Sequence, residues 1–155
     1  MRYKRLKKDK KIYNSFISVK DMDRCTGCRI CELVCSLVHD GQCSSSLSRI
    51  HVEKDLFTGE YKIETCLQCK DYKCLSVCKI EAISIDKKTG IKLINSDICT
   101  GCEECKKACI FSNSRSRIVY DSKRKICIKC DLCGGDPECV KACPEKILIY
   151  NKRKS

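Results

Sequence analysis

The spacing of the cysteines limits what this chain can fold into more than any other feature. Eighteen are present in 155 residues, and seventeen fall into four tight runs. The runs are Cys25, Cys28, Cys31, Cys35; then Cys66, Cys69, Cys74, Cys78; then Cys99, Cys102, Cys105, Cys109; then Cys127, Cys130, Cys133, Cys139, Cys143. Each closes with C-x3-C. Thiolates are soft ligands that suit iron–sulfur clusters, and a cubane presents four iron corners. Four runs, each with at least four cysteines, therefore predict four [4Fe–4S] clusters. Structural zinc uses two separated C-x2-C pairs and has no need of a third cysteine close behind.

Composition makes such staples necessary. Aromatic residues are 6% of the chain and tryptophan is absent. A small core of that kind relies on disulfides or metals. The first eleven residues, MRYKRLKKDKK, precede no apolar signal core, and no stretch approaches the length of a membrane span. The expectation is a cytoplasmic protein, where dense cysteine means metal rather than disulfide. The formal charge is +12, from 32 Lys and Arg against 20 Asp and Glu. Four oxidised cubanes with their thiolates contribute roughly −8, leaving the loaded chain at about +4. The basic excess mostly balances the clusters and is a weak argument for a nucleic-acid partner.

The runs are of two types. Asp23-Arg-Cys-Thr-Gly-Cys28 and Asp97-Ile-Cys-Thr-Gly-Cys102 are near copies, whereas the second and fourth runs carry longer internal loops. Residues at i and i+4 share a helix face, so Glu32 to Val38, Leu75 to Lys79, Lys106 to Ile110 and Val140 to Ala142 are expected as short helices opening at the third cysteines. Gly27 and Gly101 suit the preceding loops. Brief strands are expected at Ile12 to Val19, Ile50 to Val52, Tyr61 to Ile63, Ile83 to Ile85, Ile91 to Ile94 and Ile118 to Tyr120. Lys87 to Gly90 reads as a turn, as does Gly134 to Pro137, and Gly41 to Ser48 reads as a loop. Arg2 to Lys11 and Lys152 to Lys154 read as basic arms. The fold class is α+β: two ferredoxin-like modules of short hairpins and short helices. In two-cluster ferredoxins the fourth cysteine of one run ligates the other cluster, so paired runs are cross-stapled.

With the runs placed, the chain resembles the four-cluster ferredoxin-like electron-transfer subunits of molybdenum and tungsten oxidoreductases. These include the small subunits of dimethyl sulfoxide reductase, formate dehydrogenase, formate hydrogenlyase and aldehyde oxidoreductase systems. The resemblance runs from Ile12 to Tyr150 and rests on CTGCRICELVCSLVHDG (Cys25 to Gly41), SRI (Ser48 to Ile50) and KCDLCGGDPECVKACP (Lys129 to Pro144). The last two stretches look most like the subunits that accompany tungsten aldehyde oxidoreductases.

The resemblance implies four ligand sets. One cluster takes Cys25, Cys28, Cys31 and Cys143. A second takes Cys66, Cys69, Cys74 and Cys109. A third takes Cys99, Cys102, Cys105 and Cys78. The fourth takes Cys130, Cys133, Cys139 and Cys35. Residues 1–60 and 115–155 then form a split module around an inserted one at 61–114. The implied function is relay of single electrons between a catalytic subunit and another redox protein, with no substrate site, membrane span or nucleic-acid contact in this chain. A free polyferredoxin shuttle is the main alternative, and a zinc-stapled nucleic-acid-binding module a more distant one.

Two points depart from the pattern. Proline usually follows the fourth cysteine, but here only Cys143 has one, Pro144; Ser36, Lys79 and Ile110 hold the other places. Two cysteines are also surplus. Cys127 with Cys130 and Cys133 would also make C-x2-C-x2-C, but the KCDLC stretch favours Cys130, Cys133, Cys139 and Cys143 and leaves Cys127 spare. Cys43 reads as a bystander in a serine-rich loop. The two histidines, His39 and His51, read as structural, with His39 placed to tune a cluster by hydrogen bonding.

Overall fold

The computed structural model describes residues 15–70, 73–111 and 117–152. The basic segment 2–11, the start of the expected first strand at 12–14, and Arg153 and Lys154 lie outside the described residues. Four two-stranded antiparallel sheets and four short helices make up an α+β architecture.

In chain order the elements are β1 (Phe16–Val19), α1 (Ile30–Asp40), β2 (Ile50–Lys54), β3 (Tyr61–Thr65), α2 (Lys73–Ser76), β4 (Ile83–Ile85), β5 (Lys92–Ile94), α3 (Glu104–Lys107), β6 (Ile118–Asp121), β7 (Ile126–Lys129), α4 (Glu138–Ala142) and β8 (Leu148–Asn151). Three sheets are local hairpins: β2–β3, β4–β5 and β6–β7. The β4–β5 turn is built by Asp86, whose carboxylate accepts from the Lys88 and Thr89 N–H groups. The fourth sheet joins the two ends of the described chain, with Phe16 opposite Asn151 and Val19 opposite Leu148.

Two strands were not expected. β7 carries Cys127 within a four-residue alternation, and β8 has its partner more than a hundred residues away. The helices also open earlier than expected, before the third cysteine rather than at it. The expectation that third and fourth cysteines share a helix face holds in α1 alone, which contains both Cys31 and Cys35. In the other runs the helix ends before Cys78, Cys109 and Cys143. The Cys78 N–H reaches the Leu75 carbonyl and the Cys109 N–H the Lys106 carbonyl, the tightened i→i+3 pattern of a helix end.

The missing prolines have a visible counterpart here. Cys143, which precedes Pro144, is extended at φ −66° and ψ 114°, as the following ring requires. Where Ser36 follows Cys35, the helix runs on to Asp40 and stops at Gly41 in the left-handed conformation.

Buried apolar residues form two clusters. The larger gathers Ile17, Ile50, Val52, Leu132, Ile147 and Leu148 with Cys31, Cys35, Cys130, Cys139 and Cys143. The smaller gathers Ile83, Cys105, Ile118 and Cys127, with Cys74, Cys78 and Cys99 packed against it. Cysteine sulfur is thus a major part of both cores. Ile118 and Cys127 pack with the middle of the chain.

Candidate metal centres

The loops that present the thiols share one backbone device. One residue before a cysteine is left-handed in every run: Gly27 (φ 69°) before Cys28, Gln68 (φ 51°) before Cys69, Gly101 (φ 69°) before Cys102 and Leu132 (φ 57°) before Cys133. A second left-handed residue follows the same cysteine in three runs, at Arg29, Glu103 and Gly134, and in the fourth run Cys133 (φ 47°) between them is left-handed too. Left-handed residues on both sides of Cys28 and Cys102 favour inward-turned N–H groups, as in the anion-binding concavities found around iron–sulfur sites. Non-glycine residues there carry a cost of about 1 kcal/mol or more each. Glycine is required at Gly101 for a second reason: a Cβ would overlap the Lys125 carbonyl. At Gly27 it would overlap the Tyr61 ring.

The thiols gather into four separate pockets. Cys25, Cys28 and Cys31 face Cys143 in the first. Cys66, Cys69 and Cys74 face Cys109 in the second. Cys99, Cys102 and Cys105 face Cys78 in the third. Cys130, Cys133 and Cys139 face Cys35 in the fourth. Every pocket takes three cysteines from one run and a closing cysteine from another, and the third is lined by Cys127 as well. Cys43 is exposed and lines none of them.

Electrostatics in the pockets follow from crowding. Burial pushes Cys31 up to about 12, with Glu32, Cys28 and Cys143 adding to the rise. Burial takes Cys69 to about 11, with Cys66, Cys109 and Cys74 around it. Cys139 is also raised, first by burial and then by Cys130, Cys35, Cys133 and Cys31. Four thiolates so placed repel one another unless cations neutralise them. All eighteen cysteines are free thiols. A thiol donor set of at least four to a pocket fits iron–sulfur clusters on softness and on ligand number.

Two pockets have distinctive surroundings. In the second, Lys92 (1% exposed) and Lys129 (5% exposed) line the wall. The Lys129 ammonium donates to the carbonyls of Lys92 at 2.6 Å and Cys130 at 3.1 Å. The amide of buried Gln68 also donates to the Cys130 carbonyl, at 2.8 Å. Cys130 belongs to the fourth pocket, so Gln68 and Lys129 bridge the two.

His39 and Asp131 line the fourth pocket. Their ligand atoms and that of Cys133 lie within 4.8 Å of one another, a grouping able to hold a metal ion. His39 is nonetheless occupied. One ring nitrogen donates to the Cys35 carbonyl and the other faces Asp131. The Cys35 sulfur accepts the Arg49 N–H at 3.4 Å. Burial alone would raise Cys35, but hydrogen bonding from His39 and Arg49 brings it below the ordinary thiol value. His51 lies on β2 beside Glu32, away from the thiol pockets.

Cys127 is not beside its sequence neighbour Cys130. It lines the third pocket, against Cys105. The signal was present in Ile126-Cys-Ile-Lys129. Alternation in a strand puts Cys127 and Lys129 on one face and the two isoleucines on the other. Lys92, Lys129 and Gln68 carried no sequence signal as pocket residues.

Comparison with known proteins gives a consistent picture. A family model described as a 4Fe-4S dicluster domain matches residues 57–153. The chain is 45% identical over 87 residues to the aliphatic sulfonate oxidoreductase polyferredoxin-like subunit of Pyrococcus furiosus, covering 56% of this chain and 50% of that one. It is 38% identical over 103 residues to the electron transport protein HydN of Escherichia coli strain K12, covering 62% and 56%. The chain thus spans about half the length of these curated relatives. A chain of the active-site complex BamBC of benzoyl coenzyme A reductase in complex with zinc shares the fold, with a TM-score of 0.50 and 24% identity over 91% of this chain and 80% of that chain. Among the described residues no helix is long and apolar enough to cross a membrane.

Proposed function

Because the chain belongs to the 4Fe-4S dicluster domain family, we propose that it is an electron-transfer subunit holding four [4Fe–4S] clusters. The observation that carries this reading is the segregation of sixteen thiols into four pockets, each closed by a cysteine from a different run. The ligand sets are those implied by the resemblance: Cys25, Cys28, Cys31 and Cys143; Cys66, Cys69, Cys74 and Cys109; Cys99, Cys102, Cys105 and Cys78; Cys130, Cys133, Cys139 and Cys35. When bound, each cluster takes up and releases one electron.

The chain's own residues suggest an order for the relay. Helices α1 and α4 lie between the first and fourth pockets, since α1 carries a thiol of each and α4 carries Cys139 with Cys143 just beyond. Gln68 and Lys129 link the fourth pocket to the second. Helices α2 and α3, with Cys74 and Cys105 on them and Cys78 and Cys109 just past their ends, link the second to the third. The route runs first, fourth, second, third. The antiparallel β1–β8 pair supports a split module of residues 1–60 and 115–155 around an inserted module at 61–114.

The partners in this reading are a catalytic oxidoreductase subunit, of molybdenum or tungsten type, and a second redox protein, in the cytoplasm. The Pyrococcus furiosus relative, a polyferredoxin-like subunit of an oxidoreductase, supports the first partner. Anaerobic affinity purification of the chain from its native cell tests this. The expected result is a stable complex with a large molybdenum- or tungsten-containing subunit. A chain recovered fully loaded but always alone would favour the free shuttle instead.

A further inference from the structure

Cys127 is the one cysteine of the fourth run that the four ligand sets leave out, and its position gives it a role. It is 1% exposed and fixed on β7, where it pairs with Tyr120 of β6. Its backbone N–H donates to the Cys99 sulfur at 3.4 Å. Its side chain packs in the same buried cluster as Cys105 and lines the same pocket. The third pocket is therefore lined by five thiols, those of Cys78, Cys99, Cys102, Cys105 and Cys127, where each of the other three has four.

We infer that Cys127 is an exchangeable fifth ligand of the third pocket, able to replace Cys105 on the cluster held there. This rests on the four-cluster reading above. In the exchange, the bond from iron to the Cys105 sulfur breaks and one from the same iron to the Cys127 sulfur forms. The Cys127 thiol proton passes to the departing Cys105 sulfur, which lines the same pocket. One thiolate replaces another, so iron valence and net charge are unchanged and no oxidant or reductant is needed.

Two structural features favour the exchange. Cys105 sits on a helix of four residues, Glu104–Lys107, whereas Cys127 sits on a paired strand. The incoming ligand is held in place while the outgoing one lies on the more easily displaced element. Cys127 is also buried, at 1% exposed, on the wall of the pocket that Cys105 lines. A thiol that merely filled space beside the cluster would not retain iron once Cys105 is removed.

The test compares anaerobically reconstituted full-length variants by iron content and by EPR of the oxidised protein. Cys74→Ala removes a ligand from a four-thiol pocket and is expected to lose iron and show a three-iron cluster signal. Cys105→Ala is expected to keep the iron content of the wild type and show no such signal. Cys105→Ala combined with Cys127→Ala is expected to behave like Cys74→Ala. Iron loss in Cys105→Ala equal to that in the double variant overturns the inference. If Cys105→Ala does not accumulate, the nearly isosteric Cys105→Ser carries the comparison. Its cluster should keep an all-sulfur resonance Raman spectrum, and lose it when Cys127→Ala is added. Identical spectra with and without Cys127 overturn the inference. Every variant is scored against the wild type's own iron content. A wild type with fewer clusters therefore overturns the four-cluster reading, and loss in Cys105→Ala, equal to that in the double variant, overturns this one.

Discussion

The imidazole Nε2 of His39 lies 2.9 Å from the Asp131 carboxylate, joining residues 92 positions apart. Nδ1 of the same ring lies 2.8 Å from the Cys35 carbonyl, which can only accept. With an acceptor at each nitrogen the ring holds both protons, and its pKa is pushed far above the usual histidine value, chiefly by Asp131. Asp131 in turn accepts the Cys133 N–H at 2.9 Å. The cationic half of an ion pair with Asp131 is thus fixed at the fourth pocket, on the seam between the first and last cysteine runs.

Replacing that charge should make its cluster harder to reduce, because the reduced state is the more negative one. His39→Leu is expected to lower the potential of one cluster, by on the order of 60 mV, a tenfold change in its one-electron equilibrium. EPR-monitored redox titration reads this directly. A uniform shift of all clusters, or none, would speak against a local effect of His39.

Lys129 makes a related but distinct case. Its ammonium is buried, donates to two carbonyls, and acts electrostatically on Cys74 in the second pocket and Cys130 in the fourth. Lys129→Met keeps the volume and removes the charge. The same titration should show two potentials falling, those of the second and fourth pockets, with the other two held. If only one falls, Lys129 does not sit electrically between them.

Glycine substitution separates backbone strain from steric overlap. Gly41 and Gly101 have nearly equal φ, 68° and 69°. A Cβ on Gly41 meets nothing within 4 Å, whereas one on Gly101 runs into the Lys125 backbone. Gly41→Ala should cost about 1 kcal/mol in stability and leave the iron content unchanged. Gly101→Ala should disturb the loop between Cys99 and Cys102 and lower iron by up to one cluster's worth. Equal behaviour of the two variants in iron assay and thermal melting would contradict this reading of the loop.

Asp40 closes the end of α1. Its carboxylate pairs with Arg49 and, at 2.6 Å, with Arg124. Burial alone would raise its pKa, but the two guanidiniums more than offset this and hold it below the ordinary carboxylate value. Asp40→Asn should cost about 2 kcal/mol, a fall of roughly 4–8 °C in melting temperature at neutral pH. Since the folded pKa is depressed, Asp40 stabilises the fold above the ordinary carboxylate range of about 4, and that contribution is lost as pH falls through the depressed value. The melting difference between wild type and Asp40→Asn should therefore shrink as pH is lowered from neutral through the carboxylate range. A difference that grew with acid would have the wrong sign.

The cysteine spacing and the apolar alternations made the α+β class and two hairpins, β2–β3 and β4–β5, legible, because ligand loops and alternations are local patterns. What it could not carry was partnership across distance. β8 is a short apolar segment whose strand character depends on β1, and Lys129 matters because β7 turns it towards Cys74. Cys127 illustrates the limit well. Its nearest cysteines in sequence are Cys130 and Cys133, yet strand geometry carries it to Cys105. Helix ends were misread for a related reason. A C-x3-C spacing fits a helical face, but only α1 continues past its fourth cysteine. Ser36 lets that helix run on, whereas Pro144 holds Cys143 in an extended conformation.

The central claim is that four pockets hold four clusters. Iron and acid-labile sulfide, measured on anaerobically reconstituted full-length chain, test it most directly. The account predicts about sixteen of each per chain, four per cubane. About eight or fewer, or zinc without sulfide, would contradict it.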